Sequence, residues 1–181
     1  MKAVDKMGFI AGLQALVDVQ LQRAVQLARL DNELLNRPSA TGGWSINQCF
    51  AHLVSYGAYY LPLLKRALLR PTNGNQTSTF VGSWLGGYLT RLMNPQTGRT
   101  KFKAVKRHQP VATAVDRTSI DLFIRQQKEL QELLTLAERV DINSVRIPLS
   151  VARWVRLPVG DILQFMVAHS ERHLQQAERN A

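Results

Sequence analysis

Apolar residues recur at three- and four-residue steps from about residue 4 to 30. Phe9, Leu13, Leu16, Val17, Leu21, Ala24, Val25 and Ala28 form one stripe, with Gln14, Asp18, Gln22 and Arg23 off it. That spacing predicts an amphipathic helix. Small Ala24 and Ala28 line its last turn, where a neighbouring helix can approach closely. Asn36, Pro38, Ser39, Gly42 and Gly43 break the period. Ser45 then reads as the N-cap of a second helix, with Gln48 three residues later completing a capping box and Trp44 placed to staple its start. This helix is predicted over about 46–69, with Phe50, Leu53, Val54, Tyr60, Leu61, Leu64 and Leu68 as its apolar contacts. Pro62 inside it is expected to kink or split it.

Prolines and glycines interrupt residues 71–112, leaving room for a short helix at about 79–93 and otherwise a long crossover. A third long helix is predicted over 116–139, starting at Asp116 or Ser119. Ile120, Phe123, Ile124, Leu130, Leu133, Leu134 and Ala137 lie on its inner face, with Gln127 as a polar exception. Residues 141–158 are rich in β-branched types and are expected to run extended along the surface. The last helix starts near Val159–Asp161, where Asp161 suits the positive end of the helix dipole, and runs to about Arg179. No period-two alternation is sustained. The fold class is therefore all-α: a four-helix bundle with a long crossover connection between helices 2 and 3, as a single domain over 1–181.

With 181 residues, 45% of them hydrophobic, the chain can bury a core without a structural metal. A metal here would serve chemistry. Cys49 is the single cysteine, which excludes an intrachain disulfide and fits a reducing cytosol. Gln14, Asp18, Gln20 and Arg23 break up the N-terminus, so it does not read as a signal peptide. The longest apolar stretch, Cys49 to Leu64, is interrupted by His52, Ser55 and Pro62, so no membrane span is expected and the location reads as cytoplasmic. The net charge of +10 raises a nucleic-acid partner. Its densest cluster is Arg99, Lys101, Lys103, Lys106 and Arg107, in an irregular stretch without interleaved aromatics. A solvated loop explains it better than a nucleic-acid surface.

The chemistry lies in the histidines. His169 and His173, at i and i+4, share one helix face and can converge on one ion. His52, set among apolar residues of the second helix, is the natural third ligand; a metal-free core histidine is the competing reading. Three ligands leave a position open, as in catalytic rather than structural zinc sites. Gln48, one turn before His52, and Gln176, three residues after His173, are placed to orient a ligand imidazole or to serve as ordinary capping or surface residues. His108 sits among Lys106 and Arg107 and reads as an exposed loop histidine. Cys49 reads as a small core residue. Glu171 points about 160° away from both neighbouring histidines and reads as a surface acid.

The segment from Trp44 to Leu53, WSINQCFAHL, resembles the W-S-x-x-[EQ]-x-x-x-H-L signature of the DinB-like (DinB/YfiT) superfamily. The segment from His169 to Gln176, preceded by LPVGD at 157–161, is similar to its C-terminal H-x-x-R-H-x-x-Q helix. The resemblance implies a four-helix bundle, a homodimer, and a divalent ion, zinc or nickel, on residues matching His52, His169 and His173. It also implies a choice of activities on a small-molecule substrate. One is a thiol transferase using a low-molecular-weight thiol as cosubstrate, and another is a hydrolase. A non-enzymatic metal-binding or stress-response protein is the alternative.

Overall fold

The computed structural model describes residues 2–40, 42–70, 77–96, 104–110 and 117–181. Four long helices carry it: α1 (Lys6–Leu27), α3 (Ile46–Leu68), α5 (Thr118–Ala137) and α6 (Val159–Glu178). Two shorter helices, α2 (Asn32–Asn36) and α4 (Trp84–Met93), and a 3-10 turn (Lys106–His108) fill the connections. α1 and α3 each pack against both α5 and α6, so the first two long helices stand on a diagonal. This is the expected bundle, with the crossover between α3 and α5.

The helix ends follow the predicted chemistry in most places. Ser45 Oγ accepts from Gln48 N, and Gln48 Oε1 accepts from Ser45 N at 3.0 Å, closing the capping box. Asp5 and Asp31 cap α1 and α2 with single bonds, their carboxylates accepting from Gly8 N and Leu34 N. Lys6, buried in the first turn of α1, donates to the carbonyls of Glu138 and Val140 and so caps the far end of α5.

Four expectations change. Pro62 does not split its helix, because α3 runs unbroken from Ile46 to Leu68. Pro62 and Ala58, whose carbonyl loses its i+4 donor, are both exposed, so water can satisfy that carbonyl. Ser119 does not start α5; it is buried inside the first turn, and Arg117 occupies the cap position without a side-chain capping bond, its guanidinium donating to the Ala28 carbonyl instead. Asp116 lies outside the described residues. The extended stretch 141–158 forms a hairpin of β3 (Arg146–Pro148) and β4 (Arg156–Pro158), with Ile147 opposite Leu157. The helix predicted at 79–93 begins later, since Thr79–Phe80 (β2) pairs antiparallel with Val4–Asp5 (β1) before α4 starts. Asp161, at the start of α6, is fully buried and accepts from Ser83 N and Oγ. Ser83 in turn caps α4, so one carboxyl joins both helix starts.

The interior is layered. One apolar cluster, at the hairpin end, includes Ile10, Leu13, Tyr60, Leu64, Leu130, Leu134, Ile162 and Leu163. A second, at the other end, includes Ala24, Leu27, Ile46, Phe50, Ile120, Phe123, Leu174 and Ala177. Between them every long helix contributes a polar residue: Gln20 from α1, His52 from α3, Gln127 from α5, and His169, Ser170 and His173 from α6, all buried.

Candidate metal centre

His52, His169 and His173 meet in this polar layer. Each offers one ring nitrogen, and the three lie within 4.8 Å of one another. The nearest pair, His52 Nε2 and His169 Nε2, is 3.1 Å apart. Nitrogens bound tetrahedrally to zinc at about 2.0–2.1 Å would be separated by about 3.3 Å, close to the separation of His52 and His169. The helical one-turn spacing supplies two ligands, and the packing of α3 on α6 brings the third.

Hydrogen bonds fix how these rings point. His52 Nδ1 lies 2.6 Å from the backbone carbonyl of His108. A carbonyl only accepts, so Nδ1 carries the proton and the lone pair of His52 sits on Nε2. His173 Nδ1 lies 3.0 Å from Gln176 Oε1, which sets its tautomer likewise. Unprotonated nitrogens turned toward one point repel unless a proton or a cation lies between them. Outer partners of this kind orient imidazoles at metal sites.

The site is walled by aromatics. Trp44 packs on His52 and His173, with ring centroids 4.7 and 5.6 Å away. Tyr56 meets His169 edge-on at 4.4 Å, and Phe165 stacks on it at 5.5 Å. Burial is the main cause holding all three imidazoles below their usual value, that of His173 at about 3. The neighbouring histidines and Arg172 push His169 and His173 further down. All three are neutral at pH 7 and offer lone pairs without first losing a proton. Neutral nitrogen ligands suit zinc, copper and nickel better than magnesium or calcium.

The structure brings Gln176 to the site and leaves Gln48 out. Gln48 serves the helix cap and makes no bond to His52. His108 corrects the sequence reading, for it is buried, 4% exposed, rather than a surface histidine. Its ring stacks on Tyr56 at 3.9 Å and its Nδ1 lies 2.9 Å from Ser55 Oγ. Burial, with His52 and Arg107 adding to it, pushes its pKa down to about 4. The signal in the sequence was weak: a histidine two residues before Pro110, among lysines and arginines. Of the basic cluster, Lys106 and Arg107 are described; Arg99, Lys101 and Lys103 lie outside the described residues.

Cys49 is buried, and burial raises its thiol to about 12, so it is no nucleophile at neutral pH. Glu171 faces away from the site, where it pairs with Arg23 at 2.7 Å. Among the described residues, no helix is long and apolar enough to cross a membrane.

The sequence model of the DinB superfamily matches residues 16–177. None of the curated proteins matches the chain. Among solved structures, the fold is similar to that of YfiT from Bacillus subtilis, described as a probable metal-dependent hydrolase with an unusual four-helix bundle topology. The TM-score is 0.54 at 15% identity, over 97% of this chain and 85% of that one. At that identity the likeness bears on the fold alone.

Proposed function

We propose that this chain, which belongs to the DinB superfamily, is a metal-dependent enzyme holding one zinc or nickel ion on His52, His169 and His173. The observation that carries the reading is the convergence of three buried, neutral imidazoles, two with tautomers fixed so that Nε2 faces the shared point. When bound, a divalent ion with an open position supplies Lewis acidity at neutral pH. The protein's part is to hold the ligand rings, exclude water with Trp44, Tyr56 and Phe165, and keep the donor set uncharged. An uncharged donor set leaves the full charge of the ion to attract an anionic group.

Two reactions suit such a centre. A small-molecule thiol transfer is favoured by the uncharged donors, which leave the ion's charge to stabilise a thiolate. Hydrolysis is favoured by the description of YfiT. The reading includes a homodimer, which sedimentation would test. Metal analysis of the protein purified without chelator tests the site, with His169→Ala as control. About one zinc or nickel per chain, lost in the variant, is the expected result, and sub-stoichiometric metal in both contradicts it. Conjugation of low-molecular-weight thiols to an electrophile, run beside ester and amide hydrolysis, separates the two reactions.

A further inference from the structure

His169 and His173 share one backbone, that of α6, whereas His52 comes from α3, so its aim depends on what holds it. Three hydrogen bonds close a ring around it. His52 Nδ1–H donates to the His108 carbonyl at 2.6 Å. Ser55 Oγ–H donates to the His52 carbonyl at 2.7 Å. A serine hydroxyl has a single proton, and that bond uses it. Ser55 Oγ therefore accepts from His108 Nδ1–H, 2.9 Å away. The side chain of the ligand is thus tied, through His108 and Ser55, to its own backbone.

The crossover turn is fastened around this ring. The His108 imidazole is buried and stacks on Tyr56, one helical turn after His52. Arg107, beside it, donates to the Ser150 carbonyl at 3.0 Å and ties the turn to the loop between β3 and β4. His108 Nε2 is buried with no partner among the described residues, which costs stability. A phenyl ring could stack on Tyr56 without that cost. What the imidazole adds is Nδ1–H, and Nδ1–H is spent on Ser55.

We propose that His108 and Ser55 are positioning residues for His52. Together they hold its ring with Nε2 turned toward the ion, which makes the crossover turn part of the metal centre. The inference rests on the metal-centre reading, because a ring held this way matters only if Nε2 is a ligand.

Zinc affinity by chelator competition, alongside urea unfolding of the metal-free protein, tests this. The variants are His108→Phe, Ser55→Ala, their double combination and Ser55→Thr. His108→Phe keeps a ring against Tyr56 and removes Nδ1–H; Ser55→Ala removes its acceptor. Each should weaken zinc binding about tenfold without a matching loss of metal-free stability. The double variant should stay within about threefold of the weaker single one, because both changes cut the same ring. Ser55→Thr keeps the hydroxyl and its bond to a preceding carbonyl, so it should bind within about threefold of wild type.

Wild-type affinity in either single variant, Ser55→Thr as weak as Ser55→Ala, or losses that multiply in the double variant overturns the proposal and leaves the metal site standing. A wild type that binds neither zinc nor nickel overturns the metal site and this inference together. Imidazole nitrogen NMR of the metal-free protein adds a readout that a merely structural role would not move. His52 protonated at Nδ1 alone in wild type, with both tautomers populated in His108→Phe and Ser55→Ala, is expected. One unmixed tautomer in all three contradicts the proposal.

Discussion

The two apolar clusters and the polar layer between them are built on the same four helices and obey opposite rules. In the clusters, side chains such as Leu134, Leu64 and Ile162 are fully buried among aliphatic and aromatic neighbours. Removing them from water stabilises the fold, at about 25 cal/mol per Å² of apolar surface. In the layer, His52, His169, His173, Gln20 and Gln127 are buried too. Yet the side-chain oxygens of Gln20, Gln126 and Gln127 have no partner there. Unpaired buried acceptors of this kind cost stability. The metal proposed above would account for the layer, and the difference teaches that burial alone does not mark a residue as structural.

Substitutions in the two regions should therefore act in opposite directions. Leu134→Ala, in the hairpin-end cluster, should cost about 2–5 kcal/mol in urea unfolding while leaving metal stoichiometry intact. His169→Leu should abolish metal binding and leave the metal-free protein at least as stable as wild type, because an apolar side chain replaces a buried polar one. A large loss of metal-free stability in His169→Leu would break the comparison.

Metal should offset the weakness of the layer. At a metal concentration of about 1,000 times Kd the folded state gains about 4 kcal/mol, so EDTA should lower Tm by several degrees in wild type and not in His169→Leu. Scanning calorimetry with and without chelator checks this.

Acid should act on the layer before it reaches the clusters. A histidine kept neutral in the fold but free to protonate when unfolded contributes stability that is present above the unfolded value near 6.5. That stability is lost as pH falls toward the folded value, which for His173 is about 3. Each such histidine steepens the loss by about 1.4 kcal/mol per pH unit. The metal-free protein should thus lose stability between pH 6.5 and 5, and His173→Gln should flatten that slope. A slope unchanged in the variant contradicts the assignment.

The smallest effect separates two glutamines. Gln176→Leu removes the acceptor of His173 Nδ1 and should weaken metal binding about tenfold. Gln48→Leu removes half of a capping box and should cost about 1 kcal/mol of stability with affinity unchanged.

Much of this was legible in the sequence, for physical reasons that can be named. The four long helices follow from apolar periodicity, and the start of α3 follows from Ser45 and Gln48. His169 and His173 share a face by helical geometry alone. Gln127 stood out as a polar residue on an apolar face, and it lies in the layer. What was hidden depends on contacts distant in sequence. The role of His108 rests on its backbone carbonyl, which carries no sequence signature, and on a packing partner 56 residues away. The unbroken course of α3 through Pro62 depends on which side of the helix faces water. The hairpin at 146–158 gave only a β-branched composition, because strands of three residues are too short to show alternation.

The central claim is that His52, His169 and His173 together hold one divalent ion. X-ray absorption at the metal edge of the purified protein tests it most directly, with single alanine variants at each of the three positions. The account predicts three imidazole nitrogens at about 2.0–2.1 Å with a further exchangeable ligand, and one imidazole fewer or no metal in each variant. A wild type without metal, or a spectrum that any one variant leaves unchanged, would contradict it.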